Sequence, residues 1–227
     1  MSEAIRIFVP IDAAALSVGA DAVAQAILCE AQARGVVVDL VRNGSRGMLW
    51  LEPLVEVETA QGRIAYGPVT ARDVAGLFEA GFLRGGAHAL HLGVTTRLDW
   101  MKRQQRLTFE RVGVTDPLSL ADYQSHGGFA GLKAALALTG AEIVETVKAS
   151  GLRGRGGAGF PTGIKWKTVH DAVADRKYIV CNADEGDSGT FADRMLMEGD
   201  PFLLIEGMAI AAVAVGATRG YIYLRSE

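Results

Sequence analysis

The chain has 227 residues and a formal net charge of -3, with 23 Lys and Arg against 26 Asp and Glu. Its 49% of hydrophobic residues is typical of a folded protein and argues against disorder. The lack of a basic excess disfavours nucleic acid as a partner. Gly supplies 28 of the 227 residues, which is well above its average share of ~7%. This excess indicates binding sites that are formed by backbone groups.

Membrane and metal functions are also disfavoured. The longest weakly polar stretch, residues 208–218, is much shorter than the ~20 residues that cross a bilayer, and Asp12 and Asp21 interrupt any secretory signal. We therefore expect no membrane span and a cytoplasmic location. Cys29 and Cys181 cannot supply four ligands to zinc or to an iron-sulfur cluster, so no metal site is expected in this chain.

The first part of the chain predicts a layered α/β domain. Apolar periodicity predicts a strand over residues 4–9, a helix over 21–34, a strand over 36–41, hairpin strands over 54–58 and 63–66, and a helix over 70–80 that Thr70 caps. The order βαβ followed by ββα predicts a thioredoxin-like domain over residues 1–96. Cys29 lies on the first helix and is expected to be a core residue.

A polar and basic stretch, residues 97–118, is predicted to link this domain to a second one over residues 119–227. Ser119 and Thr139 are each expected to cap a helix that leads toward the most informative part of the sequence.

That part is a glycine-rich loop over residues 150–163, which holds six Gly together with Arg153 and Arg155. Without Cβ atoms such a backbone turns its N–H groups toward a ligand, and the two arginines add positive charge for phosphate. A helix over residues 164–173 follows, so its N-terminus adds to the preference for an anion. A phosphate or a dinucleotide is the expected ligand, and the alternative is a tight glycine turn that binds nothing.

The same loop also fits a Rossmann fingerprint, because Gly154, Gly156 and Gly159 have the G-x-G-x-x-G spacing. That fingerprint should follow a strand, whereas residues 141–149 have helical periodicity. The Phe160-Pro161 pair also interrupts the helix that should begin there. The context therefore disfavours a Rossmann dehydrogenase.

A second loop, rich in acids, follows a strand predicted over residues 177–181. Its polar side chains are those of Asn182, Asp184, Glu185, Asp187 and Asp193. At a strand end these groups accept hydrogen bonds from ribose hydroxyls, a flavin ring N–H or a nicotinamide amide. For Asp193 the alternative is a plain helix cap. No Ser-His-Asp arrangement or zinc-ligand spacing is present, which disfavours hydrolytic and zinc sites.

The two loops together closely resemble the FMN-binding, NADH-oxidising flavoprotein subunit of complex I and its diaphorase relatives in formate dehydrogenases and hydrogenases. The matching stretches are residues 150–166, residues 182–187 and Asp193-Arg194, and the resemblance covers residues 104–227. It implies the first part of an FMN-binding α/β domain, with FMN and NAD(H) as cofactors.

The resemblance also implies roles for individual residues, none of them catalytic, because the chemistry would take place on FMN. FMN would be held by Gly154, Arg155, Gly156, Gly157 and Lys165, and Gly159 of the same loop is also expected to bind a cofactor. Phe160 would lie near the nicotinamide or adenine, and Asn182, Asp184 and Glu185 would line the flavin pocket. Asp187 would lie near the nicotinamide nucleotide.

Departures from the complex I pattern point to one branch of this family. Asp187-Ser188 replaces the common Glu-Pro, which resembles the formate dehydrogenase branch more than complex I and leaves the NADH over NADPH preference open. Thr168 occupies a position where some members have an aromatic residue, and Ala192 replaces a common Lys.

The N-terminal domain carries a second resemblance. Residues 43–57 resemble a thioredoxin-like [2Fe-2S] ferredoxin, but Ser45 and Leu49 stand where the second pair of cluster cysteines would be. No cysteine lies near residues 10–15 either. We therefore expect a cluster-free scaffold that docks a [2Fe-2S] thioredoxin-like small subunit or a catalytic subunit.

Together these features predict the diaphorase subunit of an NAD-dependent formate dehydrogenase, partnered by a catalytic subunit that contains molybdenum and iron-sulfur clusters. The alternatives are a subunit of complex I or of an NAD-reducing hydrogenase, and, from other classes, a Rossmann dehydrogenase or a cofactor-free docking scaffold. Family members continue past the equivalent of residue 227 into a [4Fe-4S]-binding domain, so we expect the chain to be a C-terminally incomplete piece.

Overall fold

The computed structural model describes residues 4–225 and divides the chain into two contact units. The first unit runs to Asp122 and also contains Met195–Asp200, and the second comprises Tyr123–Arg194 and the residues from Pro201 onward. Among residues 4–225, no helix has the length and apolar character that a bilayer crossing requires.

The first unit contains a five-stranded mixed sheet. Its strands are β1 (Ile5–Phe8), β2 (Val38–Val41), β3 (Val55–Thr59), β4 (Gly62–Tyr66) and β5 (His91–Val94). They lie in the order β2-β1-β3-β4-β5, with β1 parallel to β2 and every other neighbouring pair antiparallel. This is the thioredoxin-like arrangement that the βαβ and ββα order predicts, so the fold prediction is confirmed here.

Short helices accompany this sheet. They are α1 (Ala13–Ser17), α2 (Ala20–Ala33), α3 (Val74–Glu79) and α4 (Asp99–Lys102). Helix α2 buries Val23 and Ile27 against Ile7 and Val57 of the sheet, and Leu77 of α3 joins the same cluster. The hydrophobic periodicity of residues 21–34 therefore corresponds to the face that covers the sheet.

Two local predictions in this unit are wrong. Cys29 is exposed and its Sγ accepts a hydrogen bond from the Gln25 amide, because the buried stripe of α2 runs through Val23 and Ile27 instead. Thr70 does not cap α3: its N–H and its hydroxyl both donate to Asp73, which closes a turn ahead of the helix.

The second unit packs helices against a two-stranded parallel sheet. Its elements are α6 (Ala130–Ala135), α7 (Gly140–Ala149), α8 (Thr162–Asp171), α10 (Pro201–Val215), β6 (Tyr178–Ala183) and β7 (Arg219–Leu224). Two further helices, α5 (Leu120–Ser125) and α9 (Ala192–Gly199), contain unit boundaries. The core joins Ile143 and Val144 of α7 to Ala214 and Val215 of α10, with Trp166 of α8 packed against them.

Both predicted helix caps are present. The Asp122 N–H donates to Ser119 Oγ at 3.1 Å at the start of α5. At the start of α7, the Glu142 N–H donates to Thr139 Oγ1 and the Thr139 N–H donates back to the Glu142 carboxylate, which is a complete capping box. The capping box fixes where α7 begins, and α7 leads directly into the glycine loop.

Candidate functional site

The glycine loop lies between α7 and α8 and is closed by its own backbone. The Gly154 N–H donates to the Phe160 carbonyl at 2.8 Å, and the Thr162 N–H donates to the Leu152 carbonyl at 2.9 Å. A further bond from the Gly159 N–H to the Gly156 carbonyl turns the tip. The loop is therefore a defined backbone structure that follows a helix, which agrees with the argument against a Rossmann strand-turn-helix.

The tip of this loop is open on the side where side chains would stand. A Cβ added at Gly156 or at Gly157 would have no heavy atom within 4 Å. Gly159 has φ +51, a left-handed conformation that Gly adopts without strain. The glycines therefore leave space above exposed backbone rather than filling a packed interior.

Gly163, in contrast, is a packing residue. A Cβ there would lie 2.4 Å from Lys148 Cα and 2.6 Å from Lys148 N, so only Gly permits this approach between α8 and α7. Its role is to hold the two helices that flank the loop.

Cationic residues lie in the glycine loop and in the first turn of α8. Arg153, Arg155 and Lys165 are exposed. Within the part of the chain that the structure describes, none of the three side chains makes a hydrogen bond or an ion pair. Helix α8 begins at Thr162, so its N-terminal partial positive charge lies next to the same loop. Open glycine backbone, unpaired cations and a helix N-terminus together are suited to a phosphate-bearing ligand.

The strand before the acidic loop extends two residues beyond its predicted end, so Asn182 lies in β6 and the loop itself follows Ala183. The side chain of Asn182 accepts a hydrogen bond from the Asp184 N–H at 3.2 Å, and the Thr190 N–H donates to the Asp187 carbonyl. The side chain of Arg225 donates to the Gly186 carbonyl at 3.0 Å. Asn182 and Asp187 are exposed, and Asp184 is partly buried.

Glu185 has a structural role that sequence reasoning missed. Its carboxylate accepts hydrogen bonds from the N–H groups of Asp193 and Arg194, at 2.8 and 2.9 Å, and so caps α9 from outside the helix. Glu185 also has φ 42, a strained conformation for a residue with a Cβ. Strained residues of this kind concentrate at functional sites.

Two pKa values are shifted beside this loop. Burial raises the pKa of the Cys181 thiol, and the Asp193 carboxylate raises it further. Burial also raises the pKa of Asp193, with the Glu185 charge as the second cause. Both causes disfavour the thiolate that a reactive cysteine requires, and Cys181 is only partly exposed.

The two loops are separately closed. Among residues 4–225, no hydrogen bond or ion pair joins the glycine loop to residues 182–187. Hydrogen bonds link Gly154 with Phe160 and Asn182 with Asp184. The cofactor-binding roles of the residues in the two loops stay predictions. The described residues contain no group of three or more His, Cys, Asp or Glu side chains arranged to hold a metal ion.

A buried carboxylate on α10 supports the helices of the second unit. Glu206 accepts a short hydrogen bond from the Tyr123 hydroxyl and bonds from the N–H groups of Phe129 and Leu132, at 2.7 and 2.8 Å. It is only 6% exposed. A lone acid within the apolar sequence of residues 202–210 was the signal that could have identified this residue.

In the first unit, the positions where the ferredoxin resemblance would place cysteines differ in their surroundings. Ser45 is buried and donates to the Glu52 carboxylate at 2.6 Å, whereas Leu49 is partly exposed. Asp12 caps α1 through bonds from Ala14 and Ala15. Burial raises the pKa of Glu52 to about 7, with smaller increases from the Asp12 and Glu56 charges.

Comparison with known proteins shows which protein family the two loops are similar to. Residues 147–227 match the model of the Nuo51 FMN-binding domain, which includes the glycine loop from Ser150 onward and the whole acidic loop. The match supports a 51 kDa-type FMN flavoprotein family.

Three curated relatives are similar to part of the chain. The NADP-reducing hydrogenase subunit HndC of Solidesulfovibrio fructosivorans is 54% identical over 126 residues, which are 56% of this chain and 26% of that protein. An NADH-quinone oxidoreductase subunit of Rhizobium meliloti is 55% identical over 51% of this chain and 28% of its own length. The NAD-reducing hydrogenase HoxS subunit alpha of Cupriavidus necator is 52% identical over 38% of this chain and 14% of its own length. The chain thus spans about a quarter, or less, of the length of these relatives.

Proposed function

We propose that the chain forms part of a 51 kDa-type FMN flavoprotein subunit that exchanges hydride between NAD(H) and FMN, on the premise of the match between residues 147–227 and the Nuo51 FMN-binding domain. Electrons then pass one at a time to iron-sulfur partners. The names of the relatives, which are hydrogenase and NADH-quinone oxidoreductase subunits, support an oxidoreductase within a multisubunit complex. The proposal includes a cytoplasmic location.

The observation that carries the proposal is the open glycine tip beside unpaired cations. Gly156 and Gly157 leave room for a planar ring or a phosphate to approach the backbone directly. Arg155 and Lys165, which have no partner among the described residues, neutralise a phosphate. FMN supplies the hydride and single-electron chemistry when it is bound.

The acidic loop orients the second nucleotide in this proposal. The amide of Asn182 is exposed and still has its NH₂ group available as a donor, and Asp184 provides an acceptor for ribose hydroxyls or ring N–H groups. Asp187 is exposed, and its carboxylate would repel a 2′-phosphate. These residues bind and orient, and none of them transfers a proton.

The identity of the electron partner is the finer part of the proposal. Asp187-Ser188 favours a formate dehydrogenase catalytic subunit with molybdenum and iron-sulfur clusters, together with a [2Fe-2S] small subunit. The relatives favour a hydrogenase or quinone reductase context instead. Purification of the complex with its neighbours and assays with formate, hydrogen and a quinone decide between the three.

The test of the core proposal is a visible absorption spectrum of the purified chain after incubation with FMN and desalting. We expect a protein-bound flavin spectrum that bleaches when NADH is added without oxygen. Bound NAD without flavin would instead indicate a Rossmann dehydrogenase, and binding of neither cofactor would indicate a docking scaffold. Repeating the measurement with this chain extended by the C-terminal region of a full-length relative separates a scaffold from a pocket that needs further residues.

A further inference from the structure

Two tryptophans of the first unit form an exposed pair. Trp50 lies in a 3₁₀ turn (Leu49–Leu51) and Trp100 lies in α4, and their rings meet edge to face with centroids 5.3 Å apart. Trp50 is 59% exposed and Trp100 is 50% exposed, and Leu49 beside them is 38% exposed. Leu49, Trp50 and Trp100 are called the tryptophan patch below. Neighbouring exposed aromatics of this size are unusual on a surface that faces only water.

The tryptophan patch is rigidly supported. Met48 lies two residues before Trp50, and Met101 follows Trp100. Both are buried in one hydrophobic cluster with Leu54 and Ala65. Both elements that carry the rings are therefore held in place by buried side chains. A preformed aromatic surface loses little conformational entropy when a partner covers it.

Positive charge flanks the patch. Arg97 and Arg103 lie three residues before and three residues after Trp100, and both are exposed. Within residues 4–225 neither makes an ion pair or a side-chain hydrogen bond. Asp99 and Lys102 form an ion pair at 3.2 Å, so their charges cancel. The rim is therefore positive although the chain as a whole carries a net charge of -3.

This charge pattern selects among the possible occupants. A second copy of the chain would bring one pair of arginines against the same pair, which is unfavourable. The exposed Asp99 carboxylate and the perpendicular rings do not suit a nucleic-acid strand, whose bases need parallel stacking faces. A protein surface with an apolar centre and an acidic rim satisfies both the rings and the arginines.

We propose that the tryptophan patch, with Arg97 and Arg103, is the docking surface for a partner protein that presents an apolar centre ringed by Asp and Glu. The proposal rests on the proposed function, because it takes this partner to be an iron-sulfur subunit of the same electron-transfer complex. The rings provide the buried centre of the interface, and the two arginines orient the partner.

The experiment purifies the complex from its host through a tag on this polypeptide, with variants introduced at the chromosomal gene. We expect Trp50→Ala/Trp100→Ala to lower the co-purified partner by about tenfold or more at moderate salt, as for interface hot spots. Arg97→Glu/Arg103→Glu should give a similar loss, and raising the salt should release the partner from the wild type. Val37→Ala and Arg72→Glu, at exposed positions elsewhere on this unit, are the matched controls and should retain it.

Thermal melting of each variant shows whether it folds. If Trp50→Ala/Trp100→Ala does not fold, Arg97→Glu/Arg103→Glu still tests the proposal. A photo-cross-linker placed at Leu49 should yield an adduct with an Asp- and Glu-rich peptide of the partner. An adduct with a second copy of the chain or with nucleic acid overturns the proposal. Unchanged partner content in both double variants overturns it as well.

NADH-dependent reduction of ferricyanide, measured per bound flavin on the same preparations, reports on the proposed function separately. It should be equal in the wild type and in the docking variants. If the wild type lacks this activity and the variants still lose their partner, the hydride-exchange proposal fails while the docking surface stands.

Discussion

At the scale of single residues, the glycines of the loop region divide into two kinds. A side chain at Gly156 would project into open space, whereas one at Gly163 would collide with the backbone of Lys148. We expect Gly156→Val to reduce FMN affinity at least tenfold, because the isopropyl group occupies the space that the ligand needs. Its unfolding free energy should stay within about 0.5 kcal/mol of the wild type, as for other exposed sites. FMN titration and urea unfolding of the same preparation measure the two quantities.

Gly163→Ala is the matched variant with the opposite expectation. Its added methyl group forces α7 and α8 apart, which costs about 1 to 3 kcal/mol of unfolding free energy. If Gly156→Val destabilised the chain as much as Gly163→Ala, or bound FMN normally, the glycine tip would not be the flavin-binding element.

Glu52 makes stability depend on pH. Burial raises its pKa in the folded chain from 4.5 to about 7, so the folded state keeps a proton that the unfolded state releases. Stability from this group is therefore fully present below about pH 4.5 and falls as the pH rises toward 7. Glu52→Gln has no proton to lose and can still accept from Leu54 and donate to Ser45. We expect the variant to gain stability relative to wild type by about 3 kcal/mol between pH 4.5 and pH 8.

Urea unfolding at several pH values measures this difference. Glu110→Gln, which changes an exposed carboxylate, is the control and should follow the wild-type profile. Parallel profiles for wild type and Glu52→Gln would show that the pKa of Glu52 is the same in the folded and unfolded states, which would contradict the expectation.

At the scale of elements, Glu206 joins α10 to the segment around α6. One buried carboxylate accepts from the buried Tyr123 hydroxyl and from two backbone N–H groups at the start of α6. We expect Glu206→Gln to cost about 3 kcal/mol of unfolding free energy, because the amide NH₂ group faces donors that then lack an acceptor. Tyr123→Phe removes one donor and leaves the carboxylate bonded, so it should cost clearly less.

Hydrogen exchange at the Phe129 and Leu132 amides checks the mechanism as well as the energy. Both amides should exchange faster in Glu206→Gln than in Tyr123→Phe. Equal exchange rates in the two variants would mean that another group satisfies these donors.

Elements with a strong local signal were predictable, and those made by distant contacts were not. Thr139 and Glu142 lie three residues apart, so the capping box at α7 is legible in the sequence and was confirmed. Strand β5 was missed because its four residues form a strand only by pairing with β4. Helix α1 was missed because it is a single short turn held by its Asp12 cap.

In the candidate site, too, features with a local sequence signal were predictable and features made by distant contacts were not. The positions of the glycine loop and of the acidic loop around residues 184–191 were predictable, since Gly content and strand-end polarity are local features. The bounds of the acidic loop were wrong, because Asn182 lies in β6 and Asp193 lies in α9. The cap that Glu185 provides to α9 joins residues eight and nine positions apart through a left-handed backbone conformation, which no local pattern indicates. A carboxylate committed to a helix N-terminus serves a ligand only through its remaining lone pairs.

At the scale of the whole molecule, the two contact units have separate hydrophobic cores. One core lies between the five-stranded sheet and α2 and α3, and the other between α7 and α10. The Nuo51 match begins at residue 147 and covers part of the second unit but not the sheet of the first. A ligand of the second unit should therefore stabilise that unit preferentially, because binding stabilises only the structure it requires.

The tryptophans make this expectation measurable. Trp166 packs against the core of the second unit, whereas Trp50 and Trp100 lie in the first. In a Trp50→Phe/Trp100→Phe variant, fluorescence reports the melting of the second unit alone, and Trp166→Phe reports the first. We expect FMN at about 100 times its dissociation constant to add about 2.7 kcal/mol to the second unit and to raise its melting temperature by several degrees. The first unit should melt at the same temperature with and without FMN. Equal upward shifts in both variants would contradict this and would show that the chain unfolds as one cooperative body.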